Sequence, residues 1–137
     1  MKHVVVTTAV INKNDEVLIL RRAEGGSNPG RWNFPGGSYD EEDRLLAVAA
    51  ARETKEESDL DLSNLRFVGM VPYSHYDLFF FFCDEFEGKV KINFESSEYK
   101  WISIDEINDY DFPIDANGDG EMLEPEIVGK IKRFINE

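Results

Sequence analysis

Reactive and cross-linking groups are scarce in this chain: 137 residues hold one cysteine and two histidines. Cys83 therefore has no internal disulfide partner. It sits in the apolar run LFFFFC (78–83), where a small buried hydrophobe is the ordinary role. Long hydrophobic stretches are also missing. That run is the longest apolar cluster, far short of the roughly 20 residues that cross a bilayer. The N-terminus MKHVVVTTAVI reads as a strand, with neither a signal-peptide h-region nor a small-residue cleavage site. A cytoplasmic protein without a membrane partner is the expectation. Positive charge is the third shortage: 15 basic against 28 acidic side chains give a net charge of −13. Such a field repels nucleic-acid duplexes and anionic membranes. A small anionic substrate is still admitted if divalent cations reverse the sign locally.

What is present suffices for a globular fold. Hydrophobic residues make up 42% and charged residues 31%, which separates the chain from disordered sequences. A chain of this length buries about two-thirds of its unfolded surface. A single domain over 1–137 is expected, with no need of disulfides or a structural metal to fold. Strands are predicted at 4–11 and 17–20, joined by the hairpin turn NKNDE. EGGSNPGRW (24–32) reads as an exposed loop, and WNFPGG (32–37) as a short strand broken by a Pro-Gly-Gly turn. A helix is predicted from Asp43, its N-cap, to about Ser58. Further strands are expected at 65–75, 76–86, 89–94 and 99–104. Alternation puts Phe79 and Phe81 on one face and Phe80 and Phe82 on the other, as in a central strand covered on both sides. Ser103 and Glu106 form a capping-box pair for a short helix. Pro125 opens a last helix with Ile127, Val128, Ile131, Phe134 and Ile135 on one stripe. The order implies an α+β fold, a mixed β-sheet sandwiched between helices (α/β/α).

The chemically distinctive stretch is RETKEESDL (52–60). On a helical wheel Glu53, Glu56 and Glu57 share one sector, being spaced i, i+3 and i+4. Toward the N-terminus that sector holds Leu46 and Ala49, with Leu45 and Ala50 at its margins, while Arg44, Lys55 and Ser58 fall opposite. The glutamates thus continue an inward stripe. Like charges there cost about 0.2–0.5 kcal/mol per pair on a helix, and far more when partly buried. Arg52, four residues before Glu56, offsets part of this. Oxygen ligands without His or Cys suit a hard ion, Mg2+ or Mn2+. The competing reading is a solvated salt-bridge helix built on Arg52–Glu56 with Lys55 nearby.

Together with the Gly-Gly turn before it, the helix resembles the Nudix box, G-x5-E-x7-R-E-U-x-E-E-x-G-U with U aliphatic. Gly37, Arg52, Glu53, Glu56, Glu57 and Leu60 stand in the family's places. The segments RWNFPGG, LILRR and ESSEYKWISIDEI resemble the family's flanking elements, so the likeness spans most of the chain. Three departures stand out. Fourteen residues separate Gly37 from Arg52 where the pattern has thirteen, so the first glutamate's place falls on Asp43 or Arg44. Thr54 replaces the aliphatic residue, and Asp59 the glycine that ends the helix.

The resemblance implies a hydrolase that cleaves a nucleoside diphosphate linked to another moiety, using water and Mg2+ or Mn2+. Glu53, Glu56, Glu57 and Gly37 would form the metal site, and Arg52 would orient a ligating carboxylate. Glu53, Glu95 and Glu98 are the candidates for general base. Arg22 would meet substrate phosphates, and Trp32 reads either as a base-stacking side chain or as core.

DFPIDANGDGEMLEPEIVGKIKRF (111–134) resembles the ending of the MutT branch, which hydrolyses nucleoside triphosphates to monophosphate and pyrophosphate. Asn117 would contact the base. A nucleoside triphosphate, oxidised forms such as 8-oxo-dGTP included, is the expected substrate and small-molecule partner. The alternatives are an ADP-ribose or nucleotide-sugar pyrophosphatase, or a non-catalytic Nudix-fold nucleotide-binding module. The same stretch fits a calcium loop, with Asp115, Asn117, Asp119, Gly120 and Glu126 in its positions and Ca2+ as the implied ion. Pro113 argues against a helix entering that loop, and an Asn-Gly/Asp-Gly turn is the competing reading. Either a monomer or a homodimer accommodates these readings.

Overall fold

The phenylalanine run occupies the middle of the fold. The computed structural model describes residues 2–26, 28–112 and 125–137. Among these the strands are β1 (His3–Val10), β2 (Glu16–Arg22), β3 (Trp32–Asn33), β4 (Gly36–Ser38), β5 (Asp61–Ser63), β6 (Arg66–Pro72), β7 (Tyr76–Cys83), β8 (Glu85–Glu87) and β9 (Ser96–Ser103). The helices are α1 (Leu46–Ser58) and α2 (Pro125–Ile135), with 3-10 turns at Glu41–Asp43 and Ile104–Asp109. Strand β7 lies between β1, its parallel neighbour, and β6, in a sheet of order β4-β1-β7-β6. A second sheet has the order β3-β2-β9, and β5 pairs with β8. This is the expected α+β class, with its strands shared among a mixed sheet and two antiparallel ones.

Alternation along β7 decides what each helix covers. Phe81 packs with Val6, Ala49 and Ala50 beneath α1. Phe80 and Phe82 point the other way, into a cluster with Val17, Ile19 and Ile102 of the second sheet and Ile127 and Ile131 of α2. Val128, Phe134 and Ile135 flank that cluster, so the predicted α2 stripe is the buried one. Burial on both faces explains why β1 and β2 carry unbroken buried runs, Val5–Val10 and Val17–Leu20, rather than alternating ones. Their connection is a tight turn in which Asn12 Oδ1 accepts from the N–H groups of Asn14 and Glu16. It does not open a hairpin, however. Beyond one bridge, Ile11 to Val17, the strands part into different sheets.

Residues 89–94 depart from the predicted strand. Val90 and Ile92 do pack inward, against a cluster of Val10, Leu18, Leu20 and Leu60. The backbone nevertheless joins no ladder; Lys91 N–H donates to the Ser58 carbonyl instead, at 2.9 Å. The segment is spent on the open end of α1, whose last carbonyls have no partner within the helix. The helix stops at Asp59, which takes the left-handed conformation (φ 63°, ψ 17°) usually given to glycine. Its N–H donates to the Lys55 carbonyl, so an aspartate does the capping. Asp59→Gly is expected to raise stability by only about 0.5 kcal/mol, since relief of the left-handed cost is set against a more flexible unfolded chain. A urea titration checks this, with kcat expected within about twofold of the parent.

Candidate active site

Two glycines bring a strand edge against the acidic helix. In β4, Gly36 pairs with Thr7 and Gly37 with Val6 of β1. A Cβ on Gly36 would strike the Val6 carbonyl, and one on Gly37 would strike the Glu53 carboxylate. Both positions therefore exclude a side chain for reasons of space. The chain then makes a 3-10 turn closed reciprocally at both ends. Asp40 Oδ1 accepts from Glu42 N–H at 2.9 Å, while Asp43 Oδ2 accepts from Asp40 N–H at 3.0 Å.

Helix α1 starts at Leu46, later than predicted, and Asp43 belongs to this preceding turn instead of capping the helix. The physical reason lies at Arg44. Its φ of 66° and ψ of −52°, with Leu45 N–H donating to the Asp43 carbonyl at 2.7 Å, make a γ-turn of the rarer kind. That turn absorbs the additional residue before the helix. It also settles which of the two candidates fills the acidic place, because Asp43 is left facing Arg52.

Arg52 uses all five of its N–H donors. Nε and Nη2 grip the two oxygens of Asp43 at 2.8 and 2.9 Å, and Nη2 also reaches the Ser38 carbonyl at 3.1 Å. Nη1 donates to Glu53 Oε1 at 3.0 Å and to Glu56 Oε1 at 3.1 Å. One guanidinium thus links turn, strand and two of the three glutamates. It holds the Asp43 carboxyl below its usual range, and the Asp43 bond in turn makes Arg52 harder to deprotonate.

The three glutamates are not equivalent. Glu57 is 7% exposed, and its Oε1 accepts from Gly36 N–H at 3.1 Å. Burial pushes its carboxyl up to about 8; the Gly36 bond opposes the shift, the charges of Glu53 and Glu95 add to it, and the field of Arg22 offsets a smaller part. Glu53 is half-buried and also raised, chiefly by burial, with Arg52 opposing. Glu56 lies at the rim, its side chain 54% exposed. The buried face of α1 runs through Ala50, Thr54, Glu57 and Ser58. Ser58 is therefore inside, against the wheel's placement of it opposite the glutamates. Its hydroxyl donates to the Thr54 carbonyl and that of Thr54 to the Ala50 carbonyl, which lets both be buried without unpaired donors.

Of the later acids, Glu95 acts through its charge on Glu53 and Glu57. Glu98 stands opposite Arg21 in the β2–β9 ladder and pairs with it at 3.8 Å. Glu95 lies in a turn beside the end of β2, where Ala23 N–H donates to its carbonyl at 2.9 Å. With Arg22, Ala23, Glu24, Gly25, Gly26 and Phe94 it lines a cleft of about 420 Å³. Arg22 is held by Asn33, whose amide, turned to satisfy both neighbours, accepts from Arg22 Nη1 and donates to the Leu20 carbonyl. Trp32 is in the core, its ring edge-on to Tyr110 at 5.2 Å, so packing is its observed role. Asn117 and the loop residues Asp115, Asp119 and Gly120 lie outside the described residues. Glu126, in α2, pairs with Lys130 at 3.4 Å.

Sequence reasoning missed Asn33, Asn93 and Phe94. Neutral amides carry no periodic signal, and an 88% exposed Phe94 looks from sequence like part of a strand.

Do these groups suit a divalent cation? The donors are oxygens, one of them a carboxylate whose ionisation its own surroundings oppose. The space beside Gly37 admits the head of Glu53 only because no Cβ is there. Both features fit a hard cation as the missing counter-charge. Among the described residues, no three His, Cys, Asp or Glu side chains stand in a ready-made metal-binding arrangement. Arg52 draws Glu53 and Glu56 to itself. To hold an ion together with Glu57, those two carboxylates would have to turn from its Nη1.

Known proteins carry the same framework. An 8-oxo-dGTP diphosphatase of Buchnera aphidicola is 28% identical over 115 residues, which cover 82% of this chain and 87% of that protein. The 8-oxo-dGTP diphosphatase of Escherichia coli is 29% identical over 139 residues, covering 98% of this chain and all of that one. A MutT structure from work on Aliivibrio salmonicida and Vibrio cholerae superposes with a TM-score of 0.79 at 18% identity. It covers 98% of this chain and 99% of its own, a likeness that shows the fold. A NUDIX domain model matches residues 1–124, from β1 to the residue before α2, and on that span the chain belongs to the Nudix family.

Proposed function

We propose that this protein hydrolyses a nucleoside triphosphate to the monophosphate and pyrophosphate. Water adds to a phosphorus, the anhydride oxygen leaves with the bond electrons, and the water's proton passes to a carboxylate. The observation that carries the reading is the set of carboxylates Glu53, Glu57 and Glu95 beside a cleft that Arg22 lines. So many negative charges would repel a polyphosphate unless a cation stood between them. Glu53, Glu56 and Glu57 with the Gly37 carbonyl would hold Mg2+ or Mn2+, which when bound neutralises phosphate oxygens and makes water a better nucleophile at neutral pH.

The chain's own groups divide the remaining work. Arg22 binds a phosphate oxygen, with Asn33 fixing its guanidinium. Arg52 aligns Glu53 and Glu56 and ties them through Asp43 to the preceding turn. Glu95 takes the proton: Glu98 is paired with Arg21 in the β2–β9 ladder, and Glu53 would be taken up by the ion. Names of the relatives make 8-oxo-dGTP the first substrate to try. A panel of 8-oxo-dGTP, the ordinary nucleoside triphosphates, ADP-ribose and a nucleotide sugar, assayed with Mg2+ for released pyrophosphate or phosphate, tests this. Pyrophosphate from a triphosphate is the expected result. Turnover confined to ADP-ribose or the sugar would move the substrate class, and no turnover on any of them would remove the catalytic reading.

A further inference from the structure

We infer that Asn93 is a positioning residue for Glu95: its side-chain amide ties the 93–96 turn to the last turn of α1 and so holds the Glu95 carboxylate at the site. The inference rests on the proposal that Glu95 accepts the proton.

Asn93 makes a contact with each half of its amide. Nδ2 donates to the Glu56 carbonyl at 3.0 Å, and Oδ1 accepts from Glu95 N–H at 2.9 Å. The first bond satisfies one of the orphan carbonyls at the helix end. The second is an Asx-turn, which sets the direction in which the backbone enters Glu95. The Asn93 carbonyl accepts from Ser96 N–H at 3.3 Å and closes the turn. One residue therefore spans from the backbone of a glutamate on α1 to the backbone of the proposed base.

That tie has a force to resist. Glu95 stands within reach of the Glu53 charge, and without a cation between them like charge pushes its carboxylate toward solvent. Packing offers little counterweight at the tip, because the neighbouring Phe94 is the most exposed large hydrophobic among the described residues. On the other side, the turn is held by Ala23 N–H to the Glu95 carbonyl. That bond fixes the backbone oxygen, and the Asn93 amide is what ties the turn to α1.

A double-mutant cycle tests this. Asn93→Ala is expected to lower kcat about 10- to 100-fold, as a misplacement near 1 Å does, with KM within about threefold. In a Glu95→Gln background the same substitution should cost less than about threefold, because the group it positions is already disabled. Asn93→Asp keeps the acceptor for Glu95 N–H but gives up the donor to Glu56. It should fall between, and it serves for the cycle if the alanine variant does not fold. Apart from turnover, the Glu95 amide in the metal-free protein should exchange with solvent faster in Asn93→Ala than in the parent. Equal losses in both backgrounds, or unchanged amide exchange, would overturn the inference while leaving Glu95 as base. A fully active Glu95→Gln enzyme would instead overturn the base assignment and the inference with it.

Discussion

Replacing Glu57 by glutamine should lower kcat by on the order of a thousandfold while making the metal-free protein more stable at pH 8. The two effects have one cause. Folding confines this carboxyl in a place that disfavours its charge and pushes it up to about 8, where an ordinary glutamate titrates near 4.5. Between those values the folded protein keeps a proton that the unfolded chain releases. Stability therefore falls as pH rises through that window, by at most about 1.4 kcal/mol per pH unit from this group. Burial of Glu53 adds a slope of the same sign. Glutamine removes the charge and keeps an oxygen for Gly36 N–H, although its buried amide then needs a partner of its own, worth about 1–3 kcal/mol if none is found.

Thermal melts in EDTA at pH 5 and pH 8 separate these terms. Near pH 5 the variant should match or fall below the parent, whose Glu57 is protonated there; at pH 8 the order should reverse. Added Mg2+ should raise the parent's melting temperature more at pH 8 than at pH 5, because binding must displace the proton. A variant less stable than the parent at pH 8 would refute the burial argument. Undiminished turnover would refute the role of Glu57 at the metal.

Arg52→Lys should cost about 2–3 kcal/mol and roughly 10- to 100-fold in kcat, although charge is conserved. Lysine offers three donors from a single point where Arg52 spreads five over Asp43, Ser38, Glu53 and Glu56. An ammonium cannot grip both Asp43 oxygens in a fork and still span to the glutamates. The 3-10 turn would lose its tie to α1, and Glu53 and Glu56 would lose their shared partner. Urea unfolding measures the first loss and steady-state kinetics the second. A lysine variant within about 0.5 kcal/mol of the parent and fully active would mean that the network is dispensable.

Much of this site could be read from residues alone, because its main element is a helix and helical spacing is a local property. Glu53 and Glu57 lie on the side of α1 that meets the protein body. Phe79 through Phe82 alternate across β7, and Ser103 with Glu106 closes the turn at Ile104–Asp109. Each of these depends on residues within about one or two turns of one another. The wheel erred at Ser58 because it has an axis but no neighbours. What covers a helix face is decided by β1, β7 and the 89–95 segment, all distant in sequence.

The sequence by itself determined the acidic helix, the glycines before it, the two-faced central strand and the likeness to the Nudix box. Tertiary structure alone decided which acid meets Arg52, which later glutamate lines the cleft beside Arg22, and what residues 89–94 become. Arg44 and Asp43 were equal by counting until a γ-turn at Arg44 left the aspartate facing the guanidinium. Glu95 and Glu98 are chemically identical; the β2–β9 register hands Glu98 to Arg21 and leaves Glu95 in the turn. KVKINF alternates like a strand, but its Lys91 N–H and Asn93 amide donate to carbonyls at the end of α1 instead of to a sheet. Periodicity states which side chains share a face, whereas the partner of that face depends on long-range closure, where small differences in hydrogen bonding decide between equals.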